Sequence, residues 1–306
     1  MILIIAPEND FHAKAVQHSA RQFGNDAVIF DAASFPSNAK LSIKIDQWDI
    51  NNGKIHISSK DVTGLWWRRP GNHEVSPRIA DRDAARFVQN ESVNAFDVIA
   101  FWDGYKIMNS PSAEMRANRK MYQLKTADKI GFKVPDTIIT NDASAVSLFM
   151  GRSNNDIIYK TLTSPSSYFA ETRRYKDVDV RRNGDIELSP LIFQAEVDTC
   201  EALRITIVDQ TIFVAKIVLN NKNAERHPDW RLDQSATCEI AYLDVTHQGM
   251  LLKLMDELGL SYATVDLLRD KNGNIWFLEV NTSGQYLFVE IDTGLKISSQ
   301  IARFLS

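Results

Sequence analysis

Residues 265–281 read VDLLRDKNGNIWFLEVN, two apolar segments that each contain a carboxylate on either side of Asn272-Gly273. Apolar segments around an Asn-Gly dipeptide are typical of a β-hairpin with a tight turn. A two-residue turn at Asn272-Gly273 would place Asp266 directly opposite Glu279, with Asn281 two residues further along the same face. The same count leaves three apolar residues beside the carboxylates, Leu268, Ile275 and Phe277, and turns four toward a core, Val265, Leu267, Leu278 and Val280.

The opposed carboxylates of this hairpin predict a cation. Like charges directly opposite each other across two strands are destabilising unless something compensates them. Two carboxylates and an amide oxygen are ligands that suit Mg²⁺, which usually keeps other positions for water and substrate phosphates. The alternative is a solvated acidic strand face without a ligand, and the apolar neighbours argue against it. The predicted metal ligands are therefore Asp266, Glu279 and Asn281.

Composition indicates a folded protein outside the nucleic-acid and membrane classes. The 306 residues are enough for about two domains, or for one domain with sub-lobes. Lys and Arg total 35 against 39 Asp and Glu, a formal charge of −4 that argues against broad nucleic-acid binding. Two cysteines cannot form a disulfide framework or a paired C-x-x-C metal site. The chain has no signal-peptide pattern and no apolar run of membrane-spanning length, so we expect a cytoplasmic protein.

The order of apolar patterns predicts an α+β protein in three parts. Residues 1–108 begin with a strand, a helix and a second strand, and are expected to form an α/β domain. Residues 109–190 begin with a helix that Ser110 or Ser112 can cap and that is predicted to run to about Ile130. This central lobe includes a predicted hairpin at Asn183-Gly184. Residues 191–306 form a predicted C-terminal lobe of strands, a helix and the acidic hairpin.

Four cationic residues end or interrupt apolar runs: Lys120, Lys160, Arg204 and Lys216. A lysine at a strand end is most often a solvated edge charge. A three-residue loop after Val208 would set Arg204 opposite Lys216, whereas a two-residue loop would put the two on opposite faces. The sequence alone does not decide between the two loop lengths.

Two further segments have the chemistry of a ligand site. The strand end that contains Gln194, Glu196 and Val197 can offer backbone groups to the edge of an adenine ring. In Asp229-Trp230-Arg231, an arginine beside an aromatic residue can hold a phosphate or carboxylate bidentately. The alternative for the second segment is a loop that its tryptophan anchors.

Taken in order, these segments resemble those of the ATP-grasp ligases over about residues 109 to 306. Within that superfamily the chain is most similar to the microviridin-type ligases, which close rings in ribosomally made peptides. Trp66 to Pro70, Ile139 to Asp142 and the ending Glu290 to Gly294 support this closer resemblance. The matching segments are Asn118-Arg119-Lys120, Lys160, Gln194 to Val197, Arg204-Ile205-Thr206, Asp229-Trp230-Arg231, Asp266, and Phe277 to Asn281 followed by Gly284-Gln285.

The resemblance implies a nucleotide site between two antiparallel sheets, behind an N-terminal pre-grasp domain. It assigns Lys120, Lys160 and Lys216 to ATP binding, and the segment with Gln194, Glu196 and Val197 to adenine. It also assigns Arg204 to the phosphates and two Mg²⁺ ions to the acidic hairpin. In the implied mechanism, Arg231 is the candidate for holding an acyl phosphate or its oxyanion. This chain departs from its relatives at Ala195-Glu196, where they often have Glu followed by an aromatic residue.

The implied reaction phosphorylates an Asp or Glu side chain of a precursor peptide, and a Ser or Thr hydroxyl or a Lys amine then closes an ester or amide ring. The implied partners are the precursor peptide, with its leader segment, and a second copy of the chain. Two alternatives remain: a ligase that joins amino acids or extends a protein C-terminus, and a non-catalytic nucleotide- or peptide-binding protein. The residues expected to contact the peptide are Arg68, Arg69, Arg173, Arg174, Tyr175, Arg181 and Arg182.

Overall fold

The computed structural model describes residues 1–153, 156–163, 171–175, 186–220 and 229–306. Its N-terminal part contains a parallel sheet in the order β2-β1-β6-β7, so the predicted strand, helix and strand at the start are confirmed. A smaller antiparallel sheet, β3-β4-β5, follows β2 along the chain. The strands are β1 (Ile2–Ile5), β2 (Ala27–Phe30), β3 (Lys40–Ile43), β4 (Trp48–Asn51), β5 (His56–Ser58), β6 (Gly64–Trp67) and β7 (Lys106–Met108).

Aspartate caps begin the two helices of this part. Helix α1 (Phe11–Gln22) starts after Asp10, whose side chain accepts a hydrogen bond from the Ala13 amide. Helix α2 (Arg82–Asp97) starts after Asp81, which accepts from Ala84 in the same way. Such caps satisfy amides that have no partner within the first turn of a helix.

The helix predicted from Ser110 to Ile130 is two helices. Ser110 caps α3 (Pro111–Ala117), and α4 (Lys120–Ile130) starts again after Arg119, whose backbone is extended at φ −80° and ψ 101°. The Asn118 side chain at the break accepts a hydrogen bond from Thr282 Oγ1. Lys120 is therefore the first residue of α4 and does not lie in a helix interior as the apolar pattern predicts.

The central part has a four-stranded antiparallel sheet in the order β10-β9-β11-β8. Its strands are β8 (Thr137–Thr140), β9 (Ile157–Lys160), β10 (Arg173–Arg174) and β11 (Leu191–Ala195). Helix α5 (Ala143–Arg152) packs on one face, where Val146 and Phe149 meet Ile157 and Phe193. The predicted hairpin at Asn183-Gly184 lies outside the described residues.

The largest sheet is antiparallel, in the order β14-β13-β12-β15-β16. Its strands are β12 (Thr199–Val208), β13 (Thr211–Val218), β14 (Thr237–Ile240), β15 (Tyr262–Asp270) and β16 (Ile275–Asn281). Helices α4 and α6 (Val245–Leu258) cover one face and form a core with Leu203, Ile205 and Val265. After the hairpin come two helices that the sequence pattern did not predict, α7 (Leu287–Thr293) and α8 (Ile297–Leu305).

The acidic hairpin has the predicted carboxylate pairing but not the predicted turn. Asp266 pairs with Glu279, whereas nearer the turn Leu267 pairs with Phe277 and Arg269 with Ile275. The turn is thus one residue longer than predicted, and a β-bulge at Leu278 restores the register before Glu279. Ile275 and Phe277 were predicted to lie beside the carboxylates. Because of the bulge, they face the core instead.

The parallel N-terminal sheet and the large sheet share a core. Ile2 and Ile4 of β1 pack in the same buried cluster as Tyr262 of β15 and Ile301 of α8. This contact brings the end of β6 beside the loop that follows the acidic hairpin. No helix in the described part of the chain is long and apolar enough to cross a lipid bilayer.

Candidate functional site

Two antiparallel sheets present polar faces to one cleft. In the central sheet, Lys160 lies opposite Ile192 and Gln194 opposite Ile158, on the face that α5 leaves uncovered. In the large sheet, Arg204 pairs with Asp266, and Asp266 pairs with Glu279, on the face opposite the α4 and α6 core. Since strand side chains alternate between faces, these registers gather cations and carboxylates in the cleft.

Glu279 is the centre of the charge cluster. Lys120 Nζ donates a hydrogen bond to Glu279 Oε2 at 2.8 Å from the first residue of α4. Burial would raise the pKa of Glu279, but Lys120, Lys160 and Arg231 outweigh it and hold that pKa below its usual range. Desolvation in the same cleft lowers the pKa of Lys160, against the opposing effect of Glu279. Glu279 is therefore an anion among three cationic residues.

Arg204 and Asp266 form the second charged pair of the cleft. Arg204 Nη1 donates to both carboxylate oxygens of Asp266, at 2.8 and 3.0 Å, and its Nη2 donates to the backbone oxygen of Gln285 at 2.9 Å. Arg204 is only 6% exposed, and its Nε has no hydrogen-bond partner within the described part of the chain. A buried donor without a partner is costly unless a ligand satisfies it.

Arg231 lies in the short helical turn Trp230–Leu232, where Asp229 orients it. Its Nε and Nη2 donate to the two carboxylate oxygens of Asp229, at 2.7 and 2.6 Å. Asp229 is buried and also accepts from the Thr172 amide at 3.0 Å. Desolvation lowers the pKa of Arg231, but the Asp229 hydrogen bond, followed by Glu279 and Asp266, outweighs it and raises that pKa. The Arg231 cation thus faces the carboxylates of the hairpin.

The segment 196–198, called the hinge below, connects β11 of the central sheet to β12 of the large sheet. Together with Ala195, it lines a cavity of about 560 Å³ with Pro135, Lys271 and Trp276. Glu196 is held by Arg174, whose Nε donates to Oε2 at 2.7 Å. Gln194 is buried and donates to Thr137 Oγ1 at 2.8 Å, so its side chain supports the hinge from within the sheet. Trp276 was not among the predicted site residues, since its alternating position in β16 is also that of an ordinary packing residue.

Lys216 lies away from the cleft. A two-residue turn pairs Val208 with Thr211, so Lys216 is opposite Leu203 and on the other face of the sheet from Arg204. Its Nζ forms an ion pair with Glu239 at 2.8 Å. The nucleotide role that the resemblance assigned to Lys216 conflicts with this geometry, because its side chain faces away from the cleft.

Most of the residues that were predicted to contact the peptide interact with other residues of the chain. Tyr175 is buried in the small core against Tyr159 and Phe193, so it is not available for a peptide. Arg173 pairs with Glu171 at 2.5 Å and Arg174 with Glu196. Arg181 and Arg182 lie outside the described residues.

Arg68 and Arg69 follow β6 and differ from each other. Arg68 is 2% exposed, pairs through Nε with Asp10 at 2.9 Å and stacks on Trp66. This burial conflicts with the predicted direct contact between Arg68 and a peptide. Arg69 is exposed, and its Nη2 donates to the backbone oxygen of Ser283 at 2.8 Å. Of the pair, Arg69 is the one that a bound peptide could reach.

The residues of the acidic hairpin fit a magnesium ion by their chemistry. Asp266 and Glu279 are paired across the strands, and Asn281 is exposed on the same face two residues further. Among the described residues, no three or more His, Cys, Asp or Glu side chains cluster as a metal site. Two carboxylates and an amide oxygen, with phosphate oxygens supplying further ligands, are the usual protein environment of nucleotide-bound Mg²⁺.

Comparisons with known proteins give the family and the fold. A family model described as the RimK-like ATP-grasp domain matches residues 120–305. A probable alpha-L-glutamate ligase of Pasteurella multocida is 24% identical over 238 residues, which are 75% of this chain and 74% of that protein.

Two solved structures superpose along almost the whole chain. One is the macrocyclase MdnC bound with precursor peptide MdnA from Microcystis aeruginosa, with a TM-score of 0.89, 24% identity, and 99% and 98% of the two chains covered. The other is a Chryseobacterium gregarium RiPP-associated ATP-grasp ligase in complex with ADP and with leader and core peptides. Its TM-score is 0.90 at 23% identity, with 99% and 96% covered. The predicted ATP-grasp fold is thus confirmed, and the chain belongs to the RimK-like ATP-grasp family.

Proposed function

We propose that this protein is an ATP-dependent, ADP-forming ligase that phosphorylates Asp or Glu side chains of a ribosomally made precursor peptide and closes ester or amide rings with Ser, Thr or Lys. The observation that carries the proposal is the cleft in which Lys120, Lys160, Arg204 and Arg231 surround Asp266 and Glu279. Four cations and two carboxylates are suited to a triphosphate and its metal ion, since phosphoryl transfer depends mainly on positioning and charge neutralisation.

The chain's own residues divide the work of the proposed first step. The hinge at Glu196 and Val197, with Trp276 across the cavity, would hold the adenine, and Lys120 and Lys160 the phosphates. Asp266, Glu279 and Asn281 would hold Mg²⁺, which when bound neutralises charge on the transferred phosphoryl group. This requires Lys120 and Arg204 to move from the carboxylates to phosphate oxygens. The product would be an acyl phosphate on the peptide.

The peptide substrate is proposed from whole-chain similarity. The macrocyclase that is bound to its precursor peptide superposes on 99% of this chain, including the N-terminal part that the family model does not match. A ligase that joins glutamate to an acceptor is the alternative, favoured by the curated relative over 75% of the chain. Peptides with a leader segment and a core that combines Asp or Glu with Ser, Thr and Lys separate the two. A product lighter by one water supports ring closure, and a product heavier by a residue supports the alternative.

Mg-ATP is expected to stabilise the protein before any peptide is added. A ligand at about 100 times its Kd adds about 2.7 kcal/mol to the free energy of unfolding, which raises the melting temperature by several degrees. Differential scanning fluorimetry with ATP, with and without Mg²⁺, measures the shift. If Mg-ATP leaves the melting temperature of the wild type unchanged, the nucleotide site is not preformed in the absence of peptide.

Arg231→Ala is expected to lower kcat about 100-fold while the Kd of Mg-ATP changes by less than about threefold. Removing one group that stabilises a developing oxyanion costs about 10²- to 10³-fold in rate. Asp229 fixes the Arg231 guanidinium at 2.6 and 2.7 Å, so Arg231→Lys should recover little of the loss. Equal effects on kcat and on nucleotide affinity would instead make Arg231 a simple phosphate-binding residue.

A further inference from the structure

The hairpin of β15 and β16 spans the cleft from the hinge to the N-terminal sheet. Lys271 in its turn lines the hinge cavity together with Val197. At about 3.3 Å per residue, Asp266 lies about 13 Å from the turn end at Asp270, and Tyr262 lies about 13 Å further along the same strand. A nucleotide with its base at the hinge and its phosphates at Asp266 leaves the Tyr262 end of the hairpin for the second substrate.

Side chains from separate elements fix the loop at that far end. Asn109, before α3, donates through Nδ2 to the backbone oxygens of Tyr262 at 2.8 Å and Thr282 at 3.2 Å. Arg69 donates to the Ser283 backbone oxygen, and Ser283 Oγ donates to the Arg68 backbone oxygen at 3.0 Å. The loop after the proposed metal ligand Asn281 is thus held in one position against the N-terminal sheet.

A carboxylate that the first step does not use faces this loop. Glu114, in the first turn of α3, is half-buried and accepts a hydrogen bond from Asn109 Nδ2 at 3.3 Å. The other polar groups that face it are the Ser283 side chain and the guanidinium groups of Arg68 and Arg69. Burial raises the pKa of Glu114 to about 7, because desolvation outweighs the hydrogen bonds and the two arginines.

We propose that Glu114 is the general base of ring closure, a role that rests on the proposed function above. As the oxygen or nitrogen of the attacking hydroxyl or amine bonds to the carbonyl carbon of the acyl phosphate, Glu114 takes one proton from it. The bond between that carbon and the phosphate oxygen breaks, and inorganic phosphate leaves. Arg69, which is exposed and donates to the Ser283 backbone oxygen, would hold the substrate beside Glu114.

The other titratable groups near this end of the hairpin, Asp10 and His12, have partners of their own. Asp10 pairs with Arg68 and caps α1, and its pKa is lowered although burial opposes the change. His12 Nε2 accepts from the amides of Tyr286 and Leu287, and burial together with Arg68 lowers its pKa to about 4. A base works best with a pKa near the operating pH. Among the described carboxylates and imidazoles at this end, that condition holds for Glu114.

The test uses a precursor peptide that the wild-type enzyme converts to a product lighter by one water. Glu114→Gln keeps the size and the polar contacts of the side chain but cannot accept the proton. We expect ring closure to slow by about 10²- to 10⁴-fold, the usual range for a general base. Trapping with hydroxylamine should still give the peptide hydroxamate at a rate within about twofold of wild type, because that nucleophile needs no base to react with the acyl phosphate.

The pH profile separates a proton acceptor from a structural residue. Ring closure by the wild type should rise through pH 7 and level off above it, and residual closure by Glu114→Gln should not follow that curve. Glu114→Asp, which retains a carboxylate, should recover part of the rate. The wild-type pH profile and the rate of Glu114→Asp decide the role even if Glu114→Gln folds poorly.

Asp97→Asn is the matched control. Asp97 is also a carboxyl whose pKa burial raises, but it lies at the end of α2 near His73, away from the cleft. It should close rings at the wild-type rate. Wild-type closure by Glu114→Gln would overturn the assignment and leave the proposed function standing. If the wild type gives neither ring nor hydroxamate with any of the peptides, the proposed function fails, and the role of Glu114 fails with it.

Discussion

Glu279→Gln is expected to lower ligation by about 10³-fold, the upper end of the cost of removing one electrostatic stabiliser from a catalytic site. The carboxylate accepts from Lys120 at 2.8 Å, faces Lys160 and Arg231, and pairs across the hairpin with Asp266. A neutral amide keeps the shape of the side chain but removes the charge that would bind Mg²⁺. ADP release and peptide mass measure the loss, and the Mg-dependent thermal shift should disappear with it.

The same substitution changes the stability of the protein without ligand. The surrounding cations lower the pKa of Glu279 in the folded state, so the ionised carboxylate stabilises the fold above its unfolded pKa of about 4.5. That contribution disappears as the pH falls through the lower folded pKa. Glu279→Gln should therefore melt at a lower temperature than wild type at pH 7, and the difference should shrink on acidification.

Glu239→Gln is the control for this prediction. It breaks a lysine–carboxylate pair of the same length, Lys216 to Glu239 at 2.8 Å, on the opposite face of the sheet. Ligation should be unchanged in this variant. Full turnover by Glu279→Gln, or an equal loss in both variants, would show that the carboxylate of Glu279 has no special role.

The carboxylate pairing of the hairpin was predictable from sequence, whereas the turn that produces it was not. Asn272-Gly273 favours a two-residue turn, but Asp270 accepts from the amides of Asn272 and Asn274 and encloses a longer one. The bulge at Leu278 then returns the register to the predicted pair. A count that assumes strict alternation of side chains cannot detect a bulge. One extra residue in a strand moves the following side chains to the opposite face of the sheet.

The order of lysines, arginines and carboxylates along the sequence was enough to predict a charged cleft. The face of the sheet on which each side chain lies was not predictable, because it depends on the lengths of the loops. Lys216 has the residue type of a phosphate ligand, yet the two-residue turn after Val208 directs it to the other face. Glu114 was not predicted as a site residue, because its residue type and position give no signal in the sequence. A glutamate in the first turn of a helix is ordinary, and only the tertiary contacts with Asn109 and Ser283 distinguish this one.

Gly284→Ala is expected to destabilise the fold by about 3 kcal/mol, the upper part of the usual cost of overpacking a core. Gly284 is buried in the loop after the hairpin, and a Cβ there would lie 1.8 Å from Thr264 Oγ1 and 2.7 Å from Thr264 Cβ. Thr264 is fully buried in β15 between two paired strands, so it cannot move aside. Thermal and urea unfolding measure the change.

The same substitution should also impair ligation, since the loop backbone connects the two ends of the site. Tyr262 Oη donates to the Gly284 oxygen at 2.6 Å, and Arg204 donates to the Gln285 oxygen next to it. Gly249→Ala is the matched control: it lies in α6 with no atom within 4 Å of the added Cβ, and should raise stability by up to about 1 kcal/mol. Adding Thr264→Ala to Gly284→Ala should recover part of the lost stability, because it removes the atom at 1.8 Å. A Gly284→Ala protein as stable and as active as wild type would mean that this loop is not the fixed link between Arg204 and the N-terminal sheet.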